Sequence, residues 1–125
     1  MQRSGYIAIV DDDAPMREAL ARLLRAHGIK SRSYPSARAF LEALPSDMPD
    51  CLIVDINMPE MTGFELQQKL LNLGIHIPTI VITGVDEESI AAAAGSLGTV
   101  AFLLKPVAGE SLVAAIDWAV RKKWN

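Results

Sequence analysis

Cysteine is nearly absent from this chain. Cys51 stands alone, so no internal disulfide can form, and its place in an apolar run reads as a buried, inert thiol. That usage fits a reducing cytoplasm, the expected location. Long apolar runs are missing too: none approaches the ~20 residues that a membrane helix needs. The start, Met1-Gln2-Arg3-Ser4-Gly5, has no apolar stretch after its lone arginine and is not a secretory signal. No membrane partner is expected. Basic charge is not in excess, since 12 Lys and Arg face 15 Asp and Glu for a net charge of −3. Direct contact of this domain with nucleic acid is therefore disfavoured. There is no internal repeat, low-complexity tract or linker. At 125 residues the chain has room for one domain, expected over 1–125, and none for a second.

What is present is an ordinary globular composition, 50% hydrophobic and 22% charged, able to support a core without staples. Short apolar runs alternate with helical patterns. Tyr6-Ile7-Ala8-Ile9-Val10 predicts a buried strand. Asp13 is placed to cap a helix with Pro15 in its first turn and Met16, Ala19, Leu20, Leu23 and Leu24 inward, stopped by Gly28. Lys30 to Tyr34 is more polar, as an edge strand would be. Ser36 caps a second helix with Phe40, Leu41 and Leu44 inward, and Pro45 ends it. Cys51 to Val54 is the third strand. Thr62 caps a third helix through Phe64, Leu66, Leu70 and Leu73, closed by Gly74. Thr79 to Ile82 and Val100 to Leu104 are the last two strands. An alanine-rich helix is expected over 86–97 and a final helix from Gly109 to about Lys123. Gly95 in the former, and Gly98 just past its end, each cost ~1 kcal/mol if helical, which predicts a mobile helix with a weak C-terminal turn. Strands apolar on both faces with helical crossovers mean an α/β fold. A (βα)5 doubly wound, flavodoxin-like parallel sheet of order 2-1-3-4-5 is predicted.

The polar residues of interest all fall at carboxyl ends of strands. Asp11 and Asp12 end the first, Asp55 the third, Thr83 the fourth and Lys105 the fifth. Ligands of open α/β sheets bind in the crevice outside those ends. Three carboxylates brought together repel one another and need a counter-charge. A hard divalent cation with oxygen ligands, Mg2+, is the natural partner. No Cys or His falls at a strand end, so a thiolate or imidazole metal is disfavoured. His27, in the last turn of a helix, and His76, in a loop, read as structural. Cation, ammonium and hydroxyl together make a receptor for a phosphoryl group.

The chain resembles the receiver domains of two-component response regulators. The resemblance runs from about Tyr6 to Val120. It rests on Ile9-Val10-Asp11-Asp12-Asp13, on Val54-Asp55-Ile56-Asn57-Met58-Pro59-Glu60-Met61-Thr62-Gly63, on Val81-Ile82-Thr83-Gly84 and on Phe102-Leu103-Leu104-Lys105-Pro106, in that order. It implies that Asp55 accepts a phosphoryl group from a sensor histidine kinase or a histidine phosphotransfer protein. It implies that Asp11, Asp12, Asp55 and the backbone carbonyl of Asn57 hold Mg2+, Asp11 largely through water. Thr83 and Lys105 would contact the phosphoryl group, and Thr83 and Phe102 would form the switch. It also implies a cis bond between Lys105 and Pro106. Such a domain is a phosphoacceptor with self-catalysed phosphotransfer and autodephosphorylation, not a turnover enzyme. Phe102 can also be read as core filling, since it lacks the hydroxyl of the commoner tyrosine.

Other readings of the residues compete with this one. A small aspartyl phosphohydrolase would need turnover on free phosphoesters and a cap domain. A flavin module would need a phosphate loop where three aspartates stand. A receiver that only binds partners would not need the full set of five polar groups. Asp13 reads as a cap and not a ligand. In the last helix Leu112, Ile116, Ala119 and Val120 form the inward arc, and Trp118 falls off it. An off-core tryptophan suggests an interface. A face built from the helix over 86–97, the fifth strand and the last helix, with Val85 and Val107 beside it, is the expected site for a partner or a homodimer. No output domain is expected within these 125 residues. Either a single-domain regulator or a receiver from a longer protein is expected, and the pattern around Thr83 is similar to receivers that precede helix-turn-helix effectors.

Overall fold

Alternation along the strands decides the architecture. A strand places successive side chains on opposite faces, and here both phases are apolar. The computed structural model describes residues 5–44, 48–84 and 99–124. In β1 (Ile7–Val10), Ile7 and Ile9 face one layer, while Ala8 and Val10 face the other. β3 (Cys51–Asp55) divides in the same way, with Cys51 and Ile53 against Leu52 and Val54. In β4 (Thr79–Thr83), Ile80 and Ile82 oppose Val81. β2 (Ser31–Tyr34) and β5 (Thr99–Leu104) complete the sheet. Every pairing is parallel and the order is β2-β1-β3-β4-β5, the flavodoxin-like arrangement that the sequence predicts.

Each layer needs a helical cover. α1 (Ala14–Ala26) and the C-terminal helix α4 (Gly109–Trp124) bring Leu20, Leu24, Leu112 and Ile116 to the isoleucine side. α2 (Ala37–Ala43) and α3 (Gly63–Asn72) bring Phe40, Leu66 and Leu70 to the other. Full burial of such a side chain contributes about 1.5–3 kcal/mol, so the two layers hold the strand ends in fixed relation. The expected helix over 86–97 lies outside the described residues, as do Val85 and Pro45.

The caps behave as local chemistry dictates, with one exception. Ser36 Oγ accepts from the Ala39 N–H at 3.0 Å. Thr62 and Glu65 form a reciprocal capping box, with Thr62 N–H donating to Glu65 Oε1 at 2.8 Å and Glu65 N–H to Thr62 Oγ1 at 3.1 Å. Asp13 occupies the N-cap of α1, yet its side chain makes no capping bond. Pro15 is the second residue of that helix and has no N–H, so one of the two usual donors is missing. Two expected inward residues differ. Ala19 is exposed. Leu73 is 59% exposed, because α3 ends at Asn72 and turns away through Gly74. Leu112, Ile116, Ala119 and Val120 are all buried, and Trp118 stands out at 52% exposure.

Candidate functional site

Strand order reverses between β1 and β3, whose carboxyl ends lie side by side. Asp11 follows β1 and is buried to 2% exposure, whereas Asp12, one residue on, faces solvent. Asp55 closes β3 and is also buried. Carboxylate oxygens of Asp11, Asp12 and Asp55 all lie within 4.8 Å of one another. Thr83 ends β4 and is fully buried, one residue past Ile82, the register partner of Asp55.

Lys105 follows β5 and reaches back across the sheet. Its backbone N–H donates to Thr83 O at 2.8 Å, and the Lys105–Pro106 peptide is cis, as the resemblance implies. The Nζ atom donates to Asp55 Oδ2 at 2.8 Å and lies 3.9 Å from Asp11 Oδ2. The other Asp55 oxygen, Oδ1, accepts from the Asn57 N–H at 3.0 Å. Asp55 is thus oriented by one ammonium and one amide.

Asp11 is fixed from three directions. Its N–H donates to Tyr34 O at 3.2 Å, its Oδ1 accepts from the Asp13 N–H at 2.9 Å, and its carbonyl accepts from Arg17 Nη1 at 2.7 Å. Burial is the main reason its pKa rises to about 6. The Asp13 N–H and Lys105 work against that rise, and the charges of Asp55 and Asp12 add to it. Burial opposes the charge on Lys105, but the hydrogen bond to Asp55 and the field of Asp11 prevail, and its pKa is raised.

The loop between Asp55 and α3 is held against the strand end. Gly63 N–H donates to Ile56 O at 3.1 Å. A Cβ on Gly63 would stand 2.8 Å from the Asp55 carbonyl oxygen, so only glycine fits without a backbone shift. Glu60 in this loop adopts a left-handed φ of 71°.

The donor set suits a hard cation. It offers carboxylate oxygens only, with Asp12 open to solvent and Asp11 and Asp55 behind it. The structure therefore brings together Asp11, Asp12, Asp55 and Lys105, with Thr83 at the adjoining strand end and Asn57 in the adjoining loop. Phe102 is different: it is partly buried against the layer under α2 and α3. Trp118 lies on the C-terminal helix, exposed. Sequence reasoning missed Arg17. The available signal was a basic residue in the first turn of a helix that follows three aspartates.

Comparison with known proteins gives a consistent result. The family model described as the response regulator receiver domain matches residues 7–117. Response regulator protein TmoT of Ectopseudomonas mendocina is 41% identical over 119 residues, 95% of this chain and 54% of that protein. Transcriptional regulatory protein FixJ of Bradyrhizobium diazoefficiens is 36% identical over 122 residues, 98% of this chain and 60% of that protein. The chain thus spans little more than half the length of these regulators. Among solved structures, FixJ-N superposes with a TM-score of 0.89 at 37% identity, covering 96% of both chains. No helix among the described residues is long and apolar enough to cross a membrane.

Proposed function

The chain belongs to the response regulator receiver family, a signalling family, and on that premise we propose that Asp55 is its phosphoacceptor. The observation that carries this reading is the short Lys105–Asp55 pair beside Asp11 and Asp12. A carboxylate is a poor nucleophile toward an anionic donor, because like charges repel. Lys105 offsets part of that repulsion at the attacking group itself. An Asp55 oxygen attacks the phosphorus of a phosphohistidine. The P–N bond breaks, its electron pair leaves with the imidazole nitrogen, and an acyl phosphate remains on Asp55.

Asp11 and Asp12, with Asp55 and the Asn57 carbonyl, would hold Mg2+. That ion, when bound, supplies the charge neutralisation that three clustered carboxylates and a phosphoryl group require. Lys105 then transfers its hydrogen bond from the carboxylate to a phosphoryl oxygen. The Thr83 hydroxyl moves to a second one. Those shifts bias an equilibrium between two arrangements of the surrounding loops. Phe102, paired in register with Val81 two residues before Thr83, would report the shift through its packing. The outlet would be the face of β5 and α4, where Leu104 and Trp118 are 46% and 52% exposed. A homodimer or a protein partner is the expected occupant. Water attack on the acyl phosphate resets the switch.

The donor would be a sensor histidine kinase or a histidine phosphotransfer protein. The length and name of FixJ support a transcriptional output for the pathway. The test uses a small phosphodonor, acetyl phosphate, with intact-mass detection. Wild type should gain one phosphoryl group with Mg2+ and none with chelator, and Asp55→Asn should gain none. An unmodified wild type in Mg2+ would refute the reading.

A further inference from the structure

The chain is acidic overall, yet six of its twelve Lys and Arg residues fall between Arg17 and Arg38, with Glu18 the one acid in that span. The fold gathers three of them, Arg25, Lys30 and Arg32, around a groove of about 520 Å3 between the end of α1 and β2. Gly28, at φ +71°, turns the chain from one element into the other. A Cβ there would meet nothing within 4 Å, so that end of the groove is open. The Arg32 guanidinium lies 4.1 Å over the Tyr6 ring, which fixes its position before any ligand arrives.

The floor of this groove is a sheet edge. β2 is the outermost strand. Ile7 N–H donates to Lys30 O, and Asp11 N–H to Tyr34 O. Backbone groups of a parallel strand point alternately to its two sides. Lys30, Arg32 and Tyr34 therefore serve the ladder with β1, and Ser31 and Ser33 present their N–H and C=O groups outward. Among the described residues no strand pairs with that side. Basic side chains on an edge often serve only to prevent self-association. That role needs neither a groove nor a third cation from α1.

We propose that an acidic, extended segment of a partner protein adds to β2 as a further strand. Its main chain would pair with Ser31 and Ser33, and its carboxylates would face Arg25 on the α1 side of the sheet and Lys30 on the other side. A small anion would meet the charges and leave the edge unpaired. A nucleic acid backbone has acceptors but no N–H donors, so it cannot satisfy the outward carbonyls. Ser33 is in register with Ile9, two residues or about 7 Å before Asp11 along the strand, and the added strand would lie two strand spacings, about 10 Å, from β1. A partner on the groove therefore leaves the Asp55 site open, and this proposal stands apart from the phosphoacceptor reading.

The test takes the isotope-labelled chain and a short synthetic peptide of repeated Glu-Glu-Val, which sets carboxylates on both faces of an added strand. Amide shifts should concentrate on Ser31, Arg32 and Ser33. Arg25→Glu with Lys30→Glu, both at exposed positions, should weaken binding at least about ten-fold. Ser33→Pro removes one outward N–H without touching the ladder to β1, an edge position that tolerates proline. It should abolish binding while the amide spectrum of the other strands stays unchanged. The proposal fails if the peptide does not bind at millimolar concentration, if Ser33→Pro binds as wild type does, or if an oligothymidine of equal charge binds more tightly than the peptide.

Discussion

Removing the buried charge at Asp11 should make the metal-free protein more stable. Asp11 titrates at about 6 in the fold, against an ordinary value of 3.8. The folded state therefore holds a proton more tightly than the unfolded state does. Between these two values the folded chain binds more protons, and stability falls as pH rises. Above pH 6 the full penalty is present. A gap of about two pKa units at roughly 1.4 kcal/mol each amounts to ~3 kcal/mol. Asp11→Asn keeps the size and an acceptor for the Asp13 N–H, and removes the ionisation. In chelator at pH 7.5 the variant should exceed wild type by ~3 kcal/mol, a rise of about 10 °C in Tm for a chain of this length. At pH 4 the gain should shrink to about 0.5 kcal/mol, because most Asp11 is then protonated in the folded protein. Urea unfolding at both pH values reads it directly. Added Mg2+ should stabilise wild type and do far less for the variant. A variant no more stable than wild type at pH 7.5, or a gain that does not shrink on acidification, would refute the argument.

Other outcomes follow from the same geometry. Mg2+ affinity, measured by calorimetry, should fall steeply as pH drops through about 6, since a proton on Asp11 competes with the ion. Gly63→Ala should destabilise the fold by about 1–3 kcal/mol, because the new methyl meets backbone at 2.8 Å. Urea melts would show the loss, and acetyl phosphate labelling should slow with it. Trp118→Ala should leave the chain folded and weaken self-association or partner binding after phosphorylation. Sedimentation and pull-down values equal to wild type would remove Trp118 from the interface.

Much of the site could be read from the chain, because strand ends are easy to locate when both strand faces are apolar. Asp11, Asp55, Thr83 and Lys105 each close such a run, and a parallel sheet brings those ends together. Which aspartate of the first pair is buried was not readable. Asp11 and Asp12 are chemically identical, and only the direction of the chain leaving β1 turns one inward. Arg17 was missed because its partner is a carbonyl, and a carbonyl has no residue signature. Gln67, buried on α3 and donating to Thr99 Oγ1 at 2.8 Å, reads as surface by residue type alone. The basic groove was hidden by the net charge of −3, which averages it against the acids elsewhere in the chain. Charge position, not total, carried that information.

The most direct measurement traps the phosphoryl bond where it forms. The chain is phosphorylated in Mg2+, reduced with borohydride and digested for tandem mass spectrometry. An acyl phosphate on aspartate is reduced to homoserine, so the expected result is homoserine at position 55 and aspartate retained at 11, 12 and 13. Homoserine at one of those three positions in place of 55, or a phosphoryl group that survives reduction on another residue, would contradict the assignment of Asp55.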